Sequence, residues 1–245
     1  MADAADEVTM RWFRTKDLPV ESKPDDTPVS IADRESEKAL RSIIESERPD
    51  HGVVGEEFGT TDSGAGARWI LDPIDGTKNY IRGVPVFATL IALEVEGVLE
   101  LGVTSAPALG RRWWGVRDEG AWCNHEPIHV SAVNAIEDAF MSSDSYDTFD
   151  RLNPARSDAW TALTKQVNRT RGFGDFWSHM LVAEGAIDIA IEPEVAIWDV
   201  ASNAVIVEAA GGRVTTLEGK GGANNGSVLA TNGVLHDAVL AAMKP

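Results

Sequence analysis

The chain has a single cysteine among 245 residues, Cys123. No intramolecular disulfide can form, which excludes a disulfide-stapled scaffold and is compatible with a reducing compartment. Cys123 reads as a small, semi-buried side chain rather than a nucleophile. Basic residues are few: 22 Lys and Arg against 39 Asp and Glu, a formal net charge of -17. That balance argues against nucleic acid or an acidic membrane surface as partner. No apolar run approaches the roughly 20 residues of a membrane span. Residues 1–10 are acidic and lack an apolar core, so no secretory signal is expected and the reading is cytoplasmic. There is no repeat and no low-complexity block. Gly211-Gly212 matches neither a P-loop nor a dinucleotide fingerprint. The five histidines show no metal-ligand spacing. His179 reads as a packing residue, with a place near the site as the alternative.

What remains is the composition of a globular enzyme, 43% apolar and 25% charged. The length suits one large domain or two small ones sharing a core. Residues 3–15 suit a short helix and 16–30 a hairpin or loop. Ser30 reads as the N-cap of a helix over 31–46, with Ile31, Leu40, Ile43 and Ile44 on one face. Short strands follow at 52–55 and 68–72, separated by a small-residue loop. From 84 to 130 the pattern predicts an antiparallel meander. Beyond it, strands near 138–143, 167–173, 186–191, 213 and 228 alternate with helices over 155–166, 176–184, 199–210 and 233–243, which suggests an α/β layer. A boundary near Val133 divides the chain into 1–133 and 134–245.

Three carboxylate groups end apolar runs: Gly55-Glu56-Glu57, Trp69-Ile70-Leu71-Asp72-Pro73-Ile74-Asp75-Gly76-Thr77, and Trp198-Asp199. Ionised carboxylates are costly to bury unless paired or bound to a metal. Pro73 biases Asp72 to extended backbone, ending the strand, and stiffens the turn after it. Asp72 and Asp75 lie three apart, so a tight turn can aim both at one place. Gly76 permits close backbone approach, and Asp75-Gly76-Thr77 would offer N–H groups to a phosphate. Hard oxygen donors suit Mg²⁺ or Mn²⁺, not zinc. Such a metal would also let an acidic chain take an anionic ester. The blander reading, an Asp-Gly surface turn, fails to account for the other two groups.

These segments resemble the inositol monophosphatase superfamily of metal-dependent, lithium-sensitive phosphatases. The resemblance covers Thr27 to Asp33, Gly55-Glu56-Glu57, Asp72 to Thr77, Trp198-Asp199 and Glu208 to Gly212. Lys78 to Val86, Ser105 to Leu109, Arg111 to Trp114 and Gly174-Asp175-Phe176 further resemble histidinol-phosphate phosphatases of actinobacterial type. The resemblance implies a layered αβαβα sandwich, as in inositol monophosphatase and fructose-1,6-bisphosphatase, and a homodimer.

It also implies roles. Glu56, Asp72 and the Ile74 carbonyl would bind one Mg²⁺, and Asp72, Asp75 and Asp199 a second. Glu57 would stand near a third, weaker ion, and Mn²⁺ could substitute. Asp33 and Thr77 would orient and deprotonate the attacking water. Asp75 to Lys78 and Asp199 would meet the phosphate. Asp175 and Glu192 would face the leaving group, with Arg171 supporting that wall. For Asp33 the blander reading is a first-turn acid favoured by the helix dipole, and for Glu192 a loop carboxylate. The expected reaction is hydrolysis of histidinol phosphate, a small phosphate monoester, in histidine biosynthesis. The alternatives are a broader inositol or sugar phosphatase, or a regulatory binding protein of the same fold. Trp113 and Trp114 suit a dimer interface, a substrate wall or packing, and their sequence does not choose.

Overall fold

Strand alternation explains how the layers of this protein stack. In the computed structural model, which describes residues 1–245 except 25, 63, 65, 146 and 222–225, helix α1 (Ala2–Trp12) precedes a hairpin of β1 (Val20–Ser22) and β2 (Pro28–Ser30). Helix α2 (Ile31–Glu47) follows directly. Ser30 caps it: its hydroxyl accepts from the Ala32 N–H at 3.1 Å, and its own N–H donates to Asp33 Oδ2 at 2.8 Å.

Next come β3 (Gly52–Gly55), β4 (Gly59–Thr61) and β5 (Ala67–Asp75), then the short α3 (Thr77–Ile81). The expected meander forms: β6 (Ala88–Val95), β7 (Val98–Ala106), β8 (Arg111–Val116), β9 (Gly120–Cys123) and β10 (Glu126–Ile128). These strands make one sheet in the order β10-β9-β8-β7-β6-β5-β3-β4, in which only the β3–β5 pair is parallel.

The remainder supplies β11 (Phe140–Ser143), α4 (Thr148–Leu152), α5 (Ser157–Gln166), β12 (Arg169–Arg171), α6 (Asp175–Ala183), β13 (Ile189–Val195), α7 (Ile197–Ala209), β14 (Arg213–Thr215), β15 (Gly226–Thr231) and α8 (His236–Ala242). Their sheet runs β12-β11-β13-β15-β14, with β11 parallel to both neighbours.

Adjacent residues in these strands point to opposite faces. Val53, Leu71 and Ile91 meet α1 and α2 through Ala5, Leu40 and Ile44. Val54, Ile70 and Ala92 meet Ala201 of α7 instead. In the second sheet, Ala190, Val228 and Ala230 face α6 and α7. Met141, Ile189, Ile191 and Leu229 face a layer built from α4, α5 and α8. Five layers result, α-β-α-β-α, the expected sandwich. Helix α7 touches both sheets, and every residue from Val200 to Val207 is buried. A helix apolar all round belongs in such a central layer.

Some local expectations need correction. Strand β5 does not end at Asp72 but continues to Asp75. The segment read as a loop after Phe58 contains β4, which pairs with β3 and forms the edge of the sheet; positions 63 and 65 of that segment lie outside the described residues. Helices α3 and α4, five residues each, are too short to show a periodic apolar face. Among the described residues, no helix is long and apolar enough to cross a membrane.

Candidate active site

Asp72 and Asp75 share one side of β5 because the strand is irregular between them. Asp72 pairs with Leu90 of β6 and Asp75 with Ala88, so three steps on β5 oppose two on its partner. In a regular strand, residues three apart point to opposite faces. The extra residue removes that reversal. Pro73 lies inside the irregularity, where its missing N–H costs no ladder bond. The two carboxylates therefore converge through a bulge, not the tight turn read from the sequence. Asp199, in the first turn of α7, completes the group: one ligand atom from each of Asp72, Asp75 and Asp199 lies within 4.8 Å of the others.

Backbone donors hold these carboxylates in place. The Ile74 N–H donates to Asp72 Oδ1 at 2.9 Å, the Phe176 N–H to Asp75 Oδ2 at 2.5 Å, and the Ala196 N–H to Asp199 Oδ2 at 2.7 Å. Burial raises the Asp72 carboxyl well above its ordinary range, and the charges of Glu56, Asp75 and Asp199 push the same way. Asp75 is raised likewise, by burial and then by Asp175 and Asp199. Burial pushes Asp199 up to about 7, against the Ala196 hydrogen bond. Three crowded acids, two buried and one half-buried, are unfavourable as bare anions, and a cation among them relieves the repulsion.

Glu56 and Glu57 follow β3. Their turn is held from α2: the Glu57 and Phe58 N–H groups donate to Glu37 Oε2 and Oε1 at 2.7 and 3.2 Å. A Cβ at residue 55 would meet Glu37 Oε1 at 2.0 Å, so only glycine fits beneath that carboxylate. Lys23, from the hairpin, places its ammonium 2.7 Å from both Glu56 Oε1 and Glu57 Oε1. Burial still moves Glu57 up to about 7, with Lys23 opposing.

Asp33 is fully buried. Its Oδ2 accepts from Ser30 N–H and from Ser30 Oγ, the latter at 2.6 Å, while Oδ1 lies 3.3 Å from Thr77 Oγ1. One side chain thus makes both contacts: Asp33 caps α2 and lies within reach of Thr77. Thr77 has one hydroxyl proton and a second acceptor, the Ile74 carbonyl, at 2.9 Å. Burial raises Asp33, with the Ser30 bonds working against it.

A cavity of about 740 Å³ opens over this cluster. Glu56, Asp72, Ile74, Asp75, Gly76, Thr77 and Lys78 line one side. Asp199 stands with them, and Asp175, Glu192 and Trp198 line the cavity as well. Asp33 touches the lining residue Thr77, and Glu57 shares Lys23 with the lining residue Glu56. Gly76 has φ +82°, and Asp175 has φ +48°, a left-handed conformation rare for a residue with a side chain. Asp175 Oδ2 accepts from Asn79 Nδ2 at 3.0 Å. Burial, then Glu192 and Asp144, push Asp175 up to about 7. Glu192 lies on β13 rather than in a loop, at a point where the register with β15 shifts.

Arg171 differs from its expectation. It lines a separate cavity of about 260 Å³ beside Ser143 and Trp160, and its guanidinium donates to the neighbouring Thr170 carbonyl and lies over the Phe140 ring. Sequence reasoning missed Lys23, Glu37, Asn79 and Arg151, the last of which lines the active-site cavity from α4. Asn79 lies in the Lys78 to Val86 segment, but its partner Asp175 is 96 positions away; the other three sit on elements whose approach is made by tertiary packing, and no local motif marks them. Trp113 is buried, donates to Glu184 and packs 6.1 Å from Phe176, whereas Trp114 stacks on Trp122 at 4.1 Å.

Residues 1–244 match the inositol monophosphatase family. The chain belongs to that family. As a member, this inositol monophosphatase relative is 49% identical to a histidinol-phosphatase of Streptomyces coelicolor, over 98% of this chain and 92% of that protein. It is 48% identical to a histidinol-phosphatase of Mycobacterium tuberculosis, over 98% of this chain and 94% of that one. Among solved structures, the extragenic suppressor protein suhB of Bartonella henselae superposes with a TM-score of 0.88 at 29% identity, covering 99% of this chain and 95% of that one. The buried aspartates at the centre of this family member could bind a metal ion.

Proposed function

We propose that this chain is a magnesium-dependent phosphatase that hydrolyses histidinol phosphate to histidinol and phosphate, a step of histidine biosynthesis. The observation that carries the reading is the pairing of two acidic groups in one cavity: the Asp72–Asp75–Asp199 cluster and, facing it, Asp175 and Glu192. The first suits metal and phosphate. The second suits a leaving group that carries positive charge, and histidinol phosphate carries an ammonium and an imidazole. The activity named for the Streptomyces and Mycobacterium relatives supports the same substrate.

The donor set fits magnesium: all donors are hard oxygens, and the buried pair Asp72 and Asp75 is electrostatically short of a cation. Glu56, Asp72 and the Ile74 carbonyl would hold one ion and Asp72, Asp75 and Asp199 another, with Glu57 near a third, weaker position. Mn²⁺ can use the same oxygens. When bound, these ions would supply charge neutralisation for the phosphate and a more acidic water. Hydrolysis of a phosphate monoester otherwise asks mainly for positioning. Thr77, donating to Asp33, keeps lone pairs that accept from the attacking water and hold it in line. Gly76, Thr77 and Lys78 would receive the phosphate beside Asp75. Asp175 and Glu192 would hold the departing alcohol.

In this reading the chain works as two units, 1–133 and 134–245. The first brings Asp72 and Asp75, and the second brings Asp199 and the wall acids. A homodimer belongs to the reading as well, and sedimentation equilibrium measures it directly. The test of substrate is a comparison of kcat/KM for histidinol phosphate, inositol monophosphate and glycerol phosphate with Mg²⁺. Asp175→Asn should lower activity on histidinol phosphate much more than on the other two. An equal loss on all three would sink the substrate assignment.

A further inference from the structure

His179 is buried, 3% exposed, on α6 one turn beyond Asp175. Residues four apart share a helix face, so the imidazole follows Asp175 toward the active-site cavity, which it lines. Its Nε2 lies 3.0 Å from Glu192 Oε1.

Glu192 needs such a partner. It stands where β13 loses register with β15, between Glu192 and Val195, and the next residue, Pro193, has no N–H for a ladder bond. The strand therefore does not by itself fix the direction of this carboxylate. Lys78 and Arg151 line the same cavity and compete for any carboxylate free to turn toward them. One oxygen tied to His179 leaves the other for a ligand. Asp175 is arranged the same way, with Asn79 taking one oxygen.

We infer that His179 is a positioning residue that gives this enzyme its preference for esters of cationic alcohols, by holding Glu192 toward the leaving group. The inference rests on the substrate reading above. An imidazole suits the task because its Nε2–H donates in the neutral Nε2–H tautomer as well as in the protonated ring.

The experiment measures kcat and KM for L-histidinol phosphate and glycerol phosphate with Mg²⁺ in the wild type, His179→Leu, His179→Gln and Glu192→Gln. The wild type should favour the histidinol ester. His179→Leu should lower that preference about tenfold, mainly through KM for histidinol phosphate, as expected when a ground-state contact is lost. His179→Gln, which keeps a donor, should recover most of the preference. Added to Glu192→Gln, His179→Leu should cost little more, because the two act through one carboxylate. If His179→Leu does not fold, His179→Asn, too short to reach Glu192, replaces it. No preference in the wild type overturns the substrate reading. A wild-type preference that survives loss of the imidazole overturns this inference, since a packing role lowers both esters alike.

Discussion

Thr77 Oγ1 lies 3.3 Å from Asp33 Oδ1, although 44 positions separate the two residues. Thr77 opens the short helix after the bulge, and Asp33 sits in the first turn of α2. Thr77→Ala should therefore lower kcat by roughly 10²–10⁴, the range for loss of a proton-handling group, with little change in melting temperature. Asp33→Asn should lower kcat similarly and also destabilise the fold, because the same carboxylate accepts from Ser30. Steady-state kinetics alongside thermal melts separate the two. Equal stability of both variants would remove Asp33 from its capping role.

Asp72 is the carboxylate that both proposed ions share. Asp72→Asn should reduce phosphate release by about a thousandfold or more, several kcal/mol of transition-state stabilisation. Its metal-free melting temperature should match or exceed the wild type, since a crowded buried charge has been removed. EDTA should inactivate the wild type reversibly. Near-normal turnover in the variant would refute the shared-ligand assignment.

Lys23 spans Glu56 and Glu57 with its ammonium. Lys23→Ala should lower the metal-free melting temperature by roughly 2–4 °C, the effect of about 1 kcal/mol in a chain of this size. Mg²⁺ should narrow that gap if Glu56 is a ligand, because the ion then supplies the missing charge. A gap of the same size with and without Mg²⁺, in differential scanning fluorimetry, would remove Glu56 from the ligand set.

His236 carries a clean pH dependence. It is fully buried, with its ring nitrogens bonded to the Thr215 and Thr231 hydroxyls at 2.8 and 3.0 Å. Burial, aided by Arg213, lowers the imidazole from its ordinary 6.5 to about 4. The unfolded chain thus binds this proton before the folded one does. Its contribution to stability is complete above pH 6.5 and falls away as the pH drops toward 4. The buried aspartates titrate in the opposite sense, so the measurement is a difference. The melting-temperature advantage of wild type over His236→Gln should shrink across that window, and a constant advantage would contradict a neutral, buried imidazole.

What the sequence determines by itself is local. Ser30 announces a capped helix ahead of its apolar face, with Asp33 as an acid in the first turn, and the meander announces itself through alternation and turns. Asp72-Pro73-Ile74-Asp75 puts two carboxylates next to each other along the chain, so a metal site is legible there, as are Glu56 and Asp199 at the ends of apolar runs. Tertiary structure decided the rest. Whether Asp72 and Asp75 point the same way depends on their register against Leu90 and Ala88 of β6. Lys23 reaches Glu56 across 33 positions, and Asn79 reaches Asp175 across 96. The family resemblance puts Arg171 at the substrate wall, but its strand turns it to the Phe140 ring. Such pairings come from how sheets and helices stack, and the physical reason is general: a sequence pattern records which face of an element is apolar, whereas the partner on a polar face is chosen only when distant elements pack.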